Sequence, residues 1–493
     1  MRSGPSLPPL MKLKHLFLLG AFATLLLACR KDEVFTDDPG AKLVLTEDTV
    51  LFDTIFTTVG SVTKRFTVRN ENDNAVRVNI DLEGGTPSPF RINVDGASGV
   101  TFDDVEILGG DSIFIFVEAT LDQNNANNPF IFEDHILLNT NGNEQSVLLL
   151  AWGQDAYFHK PAPGSLLGIL PCDAHWTSDK PHVIYGIAAV DSACSLIIDA
   201  GVKVYVHGGG RLWIYREGRI EANGTVQEPI TFQGDRLEAF YDDLPNQWDR
   251  IWINEGIQDN KLENVTIKNA LIGLQVQSYW TPGQPLSENR LILNNVRIQN
   301  CLTAGLYTEN YRIEANNLLV NDAGQYSVVL TGGGEYAFDQ PTIANYWSFD
   351  IRQDPAFLMT NKFIDRSGAE QERTIENSSF VSGIIYGNNT NEFTVDVSDA
   401  SGSVFSFTHF LFRTDQPTDG EHFPDQTTIF RNQEPGFVDA GEANFHLKES
   451  AFARGKAKQP VVLGEDLDGE PRPNFENGDD DFKPDLGCFE FNP

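Results

Sequence analysis

From Leu43 to about Asp155 the chain alternates apolar and polar residues in short runs. Phe66-Thr67-Val68-Arg69, Val76 to Ile80, Ile113 to Val117 and Val147 to Trp152 read as half-buried strands, because a strand turns successive side chains to opposite faces. Asn72-Asp73-Asn74, Gly84-Gly85, Gly109-Gly110 and Asn141-Gly142 separate them with turn residues. Roughly seven to nine strands in about 110 residues predict a β-sandwich over 43–155. No catalytic constellation is visible in it.

The pattern then changes. His159-Lys160-Pro161-Ala162-Pro163-Gly164 disfavours regular pairing and predicts a linker over 156–165. Beyond it, apolar pieces are cut by glycines: Leu196-Ile197-Ile198, Val202 to Val206, Leu212 to Tyr215 and Ile230-Thr231-Phe232. A repeat follows. Asn264-Val265-Thr266-Ile267-Lys268-Asn269-Ala270 aligns with Asn295-Val296-Arg297-Ile298-Gln299-Asn300-Cys301, and Asn317 to Ala323, Thr342 to Asn345 and Ser379 to Gly383 keep its centre. The apolar anchors Ile267, Ile298, Val320, Ile343 and Phe380 are separated by 31, 22, 23 and 37 residues. A coil of that length cannot bury its own apolar face, so stacked coils are expected to share one core. The Asn, Asp or Ser two residues after each anchor suits a turn, since asparagine tolerates the left-handed region and can bond its counterpart in the next coil. A β-propeller or a second sandwich fits the irregular gaps less well.

Three stretches resemble known families. The strand, Asn-rich turn, strand, Gly-Gly-Asp-Ser and long apolar strand of 43–155 resemble bacterial immunoglobulin-like domains, which implies a spacer. Leu196-Ile197-Ile198-Asp199-Ala200-Gly201, Gly218-Arg219-Ile220-Glu221-Ala222-Asn223-Gly224-Thr225 and Pro229-Ile230-Thr231-Phe232 resemble the opening rungs of right-handed parallel β-helix proteins of the pectate-lyase-like fold. Phe445-His446-Leu447-Lys448, Asp466 to Arg472 and Pro484 to Glu490 resemble the closing segment of bacterial surface β-helix proteins. Together they imply an all-β chain: an immunoglobulin-like β-sandwich, then a right-handed parallel β-helix over 166–445 and a closing segment over 446–493.

The first residues concern location. Lys12 and Lys14 precede a 12-residue apolar run, Leu16 to Leu27. That run is shorter than the ~20 residues a membrane-spanning helix needs and has the form of a secretory signal. Met11 is a second candidate start, since residues 1–10 add nothing to it. Leu26-Leu27-Ala28-Cys29 resembles a lipobox, which implies removal of residues 1–28 and lipidation of Cys29. Lys31-Asp32-Glu33 resembles the surface-export signal of Bacteroidetes lipoproteins, and Asp48-Thr49-Val50, Asp53-Thr54-Ile55, Asp111-Ser112-Ile113 and Asp191-Ser192-Ala193 resemble that group's O-glycosylation signal. These imply a chain anchored by lipid in the outer membrane and exposed at the cell surface, with residues 29–42 as a flexible tether.

Composition narrows the partners. The chain carries 36 basic and 70 acidic residues, a net charge of −34. Such a surface repels nucleic acid and makes a polyanion such as pectate a poor substrate unless calcium screens it. Of five cysteines, Cys172 and Cys194 flank a strand-like segment and can pair in an oxidising compartment, and Cys301 has the setting of a small buried apolar residue. No CxxC and no Cys/His cluster with zinc spacing occurs. The Gly-rich pieces lack the Lys-Ser/Thr of a phosphate loop.

Candidate chemistry concentrates in one long polar loop. It contains Asp235, Arg236, Glu238, Tyr241, Asp242, Asp243, Trp248 and Trp252, and Tyr279-Trp280 in the next insertion extend the aromatic set. Aromatic faces stack on sugar rings, while carboxylates and guanidinium groups hold hydroxyls. The counter-reading is an insertion that packs over the edge of the helix and pairs its own charges. The Asn-Thr-Asp, Gly-His-Gly and Arg-Ile-Lys strings of polygalacturonases are absent, as is the Arg-x-Pro-x-x-Arg string of pectate lyases. Asp466 and Asp468, with Asp479-Asp480-Asp481, offer oxygens to calcium but match only a fragment of a calcium loop; no other cofactor is implied. Three functions therefore compete: a surface lipoprotein that binds glycan or another surface component without catalysis, a polysaccharide lyase or glycosidase, and a structural or adhesive protein.

Overall fold

The computed structural model describes residues 33–57, 60–122, 130–278, 285–365, 367–398, 402–473 and 483–492. Cys29, Lys31, Asp32, Tyr279, Trp280 and Asp479-Asp480-Asp481 lie outside them. Among the described residues every element is a strand or a short 3₁₀ turn. The strands fall into two compact units that part between Gln154 and Asp155.

The first unit holds two five-stranded sheets. One runs Val44–Leu45, Lys64–Arg69, Ser112–Ala119, Phe90–Val94, Ala97–Gly99, antiparallel throughout. The other runs Thr49–Phe56, Asn143–Gln154, Phe130–Thr140, Val76–Leu82, Thr101–Ile107, with one parallel pair, Thr49–Phe56 on Asn143–Gln154. Alternation does what the sequence predicts: Val76, Val78, Ile80 and Leu82 are buried while Arg77 and Asn79 are exposed. Asn141 and Gly142 both have positive φ, 52° and 78°, and join the two longest strands in a two-residue turn that fixes Thr140 opposite Asn143. The expected tether over 29–42 is not loose along its whole length. Phe35 bridges Ala75, the Arg77 guanidinium lies 4.0 Å from the Phe35 ring, and Ala41 is buried.

The second unit stacks parallel strands in three rows, a β-helix-like arrangement, and the chain visits the rows in turn. Row 1 begins Tyr157–His159, His182–Ile184, Lys203–Val206, Ile230–Gly234 and ends Phe410–Phe412, Ile429–Arg431. Row 2 includes Ile187–Val190, Arg211–Ile214, Arg250–Asn254, Ile272–Gln277, Ala304–Glu309 and Tyr326–Thr331. Row 3 includes Ser195–Ile198, Arg219–Asn223, Gly334–Asp339 and Ile375–Val381. Because each strand sits in register on the one before, inward residues form columns. Ile267, Ile298, Val320, Ile343 and Ile385 make one, all buried. Phe380, expected as its last member, is instead on row 3 against Phe338, and Ile385 takes its place. Each such side chain contributes about 1.5–3 kcal/mol by leaving water.

Asparagine makes the corners. Asn269, Asn300 and Asp322 turn row 1 into row 2 with φ of 66°, 55° and 50°, and Asn300 Nδ2 donates to Asn269 Oδ1 at 2.8 Å. A second ladder turns row 3 into row 1: Asn317 Nδ2 donates to Asn295 Oδ1 at 2.9 Å, and Asn295 Nδ2 to Asn264 Oδ1 at 3.3 Å. The stack begins earlier than expected. Tyr157–His159, inside the predicted linker, pairs with His182–Ile184, and His159 Nε2 lies 3.0 Å from His182 Nδ1 with Trp176 stacked on both rings. A disulfide joins Cys172 to Cys194 across adjacent coils.

Candidate functional site

The three rows differ in what they turn outward. Row 3 is covered by ion pairs between coils, Arg290–Glu314 at 2.8 Å and Arg312–Glu335 at 3.0 Å. Exposed pairs of this kind are worth little energetically but leave few groups free for a ligand. The later coils of row 1 turn out Leu319, Ala344, Ile384 and Leu411, and the C-terminal segment seals them with Phe437, Phe445, Leu447, Leu467 and Cys488. Arg472 fastens that segment. It is buried, pairs with Glu490, and donates to Asn317 Oδ1 at 2.9 Å and to the Gly487 carbonyl at 3.1 Å. Burial pushes the Glu490 carboxyl up to about 7 against the pull of Arg472.

Row 2 carries no ion-pair ladder of the row 3 kind among the described residues, and it is only partly covered: Trp213, Trp252 and Tyr307 stay half-buried, while Ala189, Gln275 and Val329 are buried. Its outward column runs Ala189, Trp213, Trp252, Gln275, Tyr307, Val329, one residue per coil. The Trp213 and Trp252 rings lie 5.1 Å apart at 13°. With a face-to-face gap of about 3.5 Å, that distance offsets them sideways by roughly 3.7 Å, so they overlap like roof tiles and each keeps part of a face free. Trp213 Nε1 donates to Asn254 Oδ1 at 2.9 Å, whereas the Trp252 indole N–H is buried with no acceptor among the described residues. Arg250 donates to Gln275, and Gln275 to Gln277, forming a line of amides beside the rings. On one border Asp249 holds Arg211 and Arg250, each at 2.8 Å. On the other, Glu309 pairs with Arg373 at 3.4 Å, and the Arg373 guanidinium lies 3.7 Å from the Phe363 ring. Burial raises the Glu309 carboxyl and pushes Tyr307 up to about 12.

Of the predicted loop residues, only Trp252 is on this face. Trp248 is a core residue, 1% exposed, with Nε1 donating to the Lys268 carbonyl at 2.9 Å. The loop pairs its own charges: Asp235 meets His207 at 2.7 Å, Arg236 meets Glu238 at 3.3 Å, and Arg236 also donates to the Tyr241 hydroxyl at 3.0 Å. Asp242 and Asp243 offer their backbone carbonyls to Asn269 and Asn300, which pins the loop on the corner between rows 1 and 2. Asp466, a calcium candidate, is 1% exposed and accepts the N–H groups of Asp468, Glu470 and Glu490 at 2.8–2.9 Å. Asp468 is paired with Arg297 and, at 2.6 Å, with His446; their hydrogen bond lowers the Asp468 pKa and raises that of His446. Among the described residues no group of three acids, histidines or cysteines is placed to hold a metal ion. Sequence reasoning missed Trp213, Asn254, Gln275, Gln277 and Tyr307. The signal was present in Leu212-Trp213-Ile214 and Leu306-Tyr307-Thr308, where a buried neighbour on each side turns the ring outward.

No family model matches the chain, and no curated protein matches it. Solved structures match short parts of it. They include the PapD-like domain of human CEP192 (10% identity over 26% of this chain and 94% of that domain, TM-score 0.17). They also include the E. coli chaperone DraB (14%, 23% and 55%, TM-score 0.17) and a family 123 glycoside hydrolase from Clostridium perfringens (12%, 27% and 26%, TM-score 0.19). Scores this low carry no argument about fold or function.

Proposed function

We propose that this chain is a lipid-anchored, surface-exposed protein of the Bacteroidetes type that binds an extended glycan along row 2 and does not cut it. In this reading the first unit is an immunoglobulin-like spacer. The second is a right-handed parallel β-helix, the hand that parallel crossovers take in about 98% of cases. The carrying observation is the tiled Trp213–Trp252 pair, half-buried on row 2 with part of each ring face free, beside the buried amides of Asn254, Gln275 and Gln277. Rings that stack on sugar faces are the usual furniture of glycan sites, and here the amides, bonded to Trp213, Arg250 and one another, hold the strip in place.

Two acid pairs on this face are too far apart for hydrolysis. Glycosidases place two carboxyl groups about 5–9.5 Å apart. Asp249 and Glu309 stand at opposite ends of their strands and two coils apart, about 19 Å between backbones by strand and coil spacing. Asp396, in register with Glu309 through Thr331 and Thr360, is three coils away, about 14 Å, and is held by Lys362. The test is incubation of the purified chain with a panel of neutral and acidic glycans, reading retention together with new reducing or unsaturated ends. Retention without product is expected. Product formation would replace binding with catalysis, and neither signal on any glycan would sink both.

A further inference from the structure

A second concavity lies at the corner between rows 1 and 2, and glycan binding on row 2 leaves it unexplained. Its volume is about 200 Å³, and Asn300, Asn321, Asp322, Asp243, Glu442 and the stretch from Tyr346 to Phe349 line it. Segments more than 190 residues apart in sequence thus converge there: the polar loop, the insertion after row 1, and the turn before Asn444–Leu447.

Its chemistry is one-sided. The charged side chains that line it, Asp243, Asp322 and Glu442, are all acids. The nearby Arg352 is turned to a buried pair with Glu392. Asp322 is already engaged, accepting Asn321 Nδ2 at 2.7 Å and the Tyr346 N–H at 2.9 Å. Asn321 is 2% exposed, yet its Oδ1 has no donor among the described residues. A buried acceptor left without a donor costs about 1–3 kcal/mol, which a donating ligand relieves. The Trp347 and Phe349 rings, 5.0 Å apart, supply apolar faces to which an ammonium is also drawn. The volume falls below the about 300–1,000 Å³ of sites for drug-sized ligands, so the guest is one ring or one short chain.

We infer that this cleft binds a small organic primary ammonium, carried by a 2-amino sugar or a lysine side chain, with Asp243 and Glu442 facing the charge and Asn321 Oδ1 accepting a hydrogen bond. The inference does not rest on glycan binding at row 2. It is tested by calorimetric titration of the full chain with glucosamine, glucose, N-acetylglucosamine and Nα-acetyl-lysine amide. Glucosamine or the lysine derivative should bind at least tenfold more tightly than the two neutral sugars, and whichever is the tighter identifies the source. The double variant Asp243→Asn, Glu442→Gln, which touches only exposed side chains, should lower that affinity at least tenfold, while Trp252→Ala should leave it unchanged. Equal affinity for ammonium and neutral ligands, an unaffected double variant, or loss in Trp252→Ala would each overturn the assignment.

Discussion

Ile384 on row 1 and Trp252 on row 2 hold equivalent outward positions, and the chain treats them in opposite ways. Ile384 is 1% exposed beneath the C-terminal segment, while Trp252 stays half-buried on row 2. Their inward neighbours, Ile385 and Ile251, are interchangeable core residues. In a stacked fold, then, the inward columns report only the fold, and the outward columns show where the protein meets itself and where it can meet something else. Apolar outward residues go with a cover. The tiled tryptophans keep part of their faces open.

The sharpest way to break this contrast is to unfasten the cover. Arg472→Ala leaves Glu490 buried and unpaired and strips a donor from Asn317, so it should cost about 3–5 kcal/mol in denaturant unfolding. A loss below about 1 kcal/mol would mean that the segment is not held by this residue. Next comes the corner ladder shared by rows 3 and 1. Asn295→Ala forces a non-glycine, non-asparagine residue into φ 54° and removes two amide bonds, for an expected loss of about 1–3 kcal/mol, with Asn295→Gly costing less.

How much of this was legible beforehand follows from the same columns. Ile267, Ile298 and Val320 are readable because they recur with a turn asparagine or aspartate two residues on. Phe380 belongs to another column because each coil contributes an anchor to every row, and anchor spacing alone does not say which row an anchor joins. Asn264, Asn295 and Asn317 open the repeat in plain view, but that their amides bond to one another depends on parallel register, which sequence spacing alone does not set. The loop around Asp235 is dense in charge, yet Asp235, Arg236 and Glu238 are already paired, and of its acids Asp243 alone lines the cleft at the corner. The outward column of row 2 is spread thinly, one residue per coil and a ring on only three of them, so no local window of sequence contains it.

Smaller effects sharpen the picture at the first coil. Burial pushes His159 down to about 3 and His182 down to about 4. Both are neutral in the folded chain, whereas the unfolded chain takes up protons below about pH 6.5. Their stabilising contribution is therefore complete above that value and is lost as pH falls toward about 3. The melting temperature should drop between about pH 7 and pH 4, and the double variant His159→Phe, His182→Phe should flatten that drop; an unchanged slope would contradict the buried pair. The smallest stability effect belongs to the open face. Trp252→Ala should shift unfolding by about 1 kcal/mol, since its ring is only part-buried.

The most direct measurement is affinity electrophoresis of the full chain in gels loaded with a glycan that retains it. Trp252→Ala should lose at least nine-tenths of the retardation, while Arg290→Ala, which breaks an ion pair on row 3, should migrate like the unaltered chain. Equal retardation of all three proteins would contradict binding on row 2.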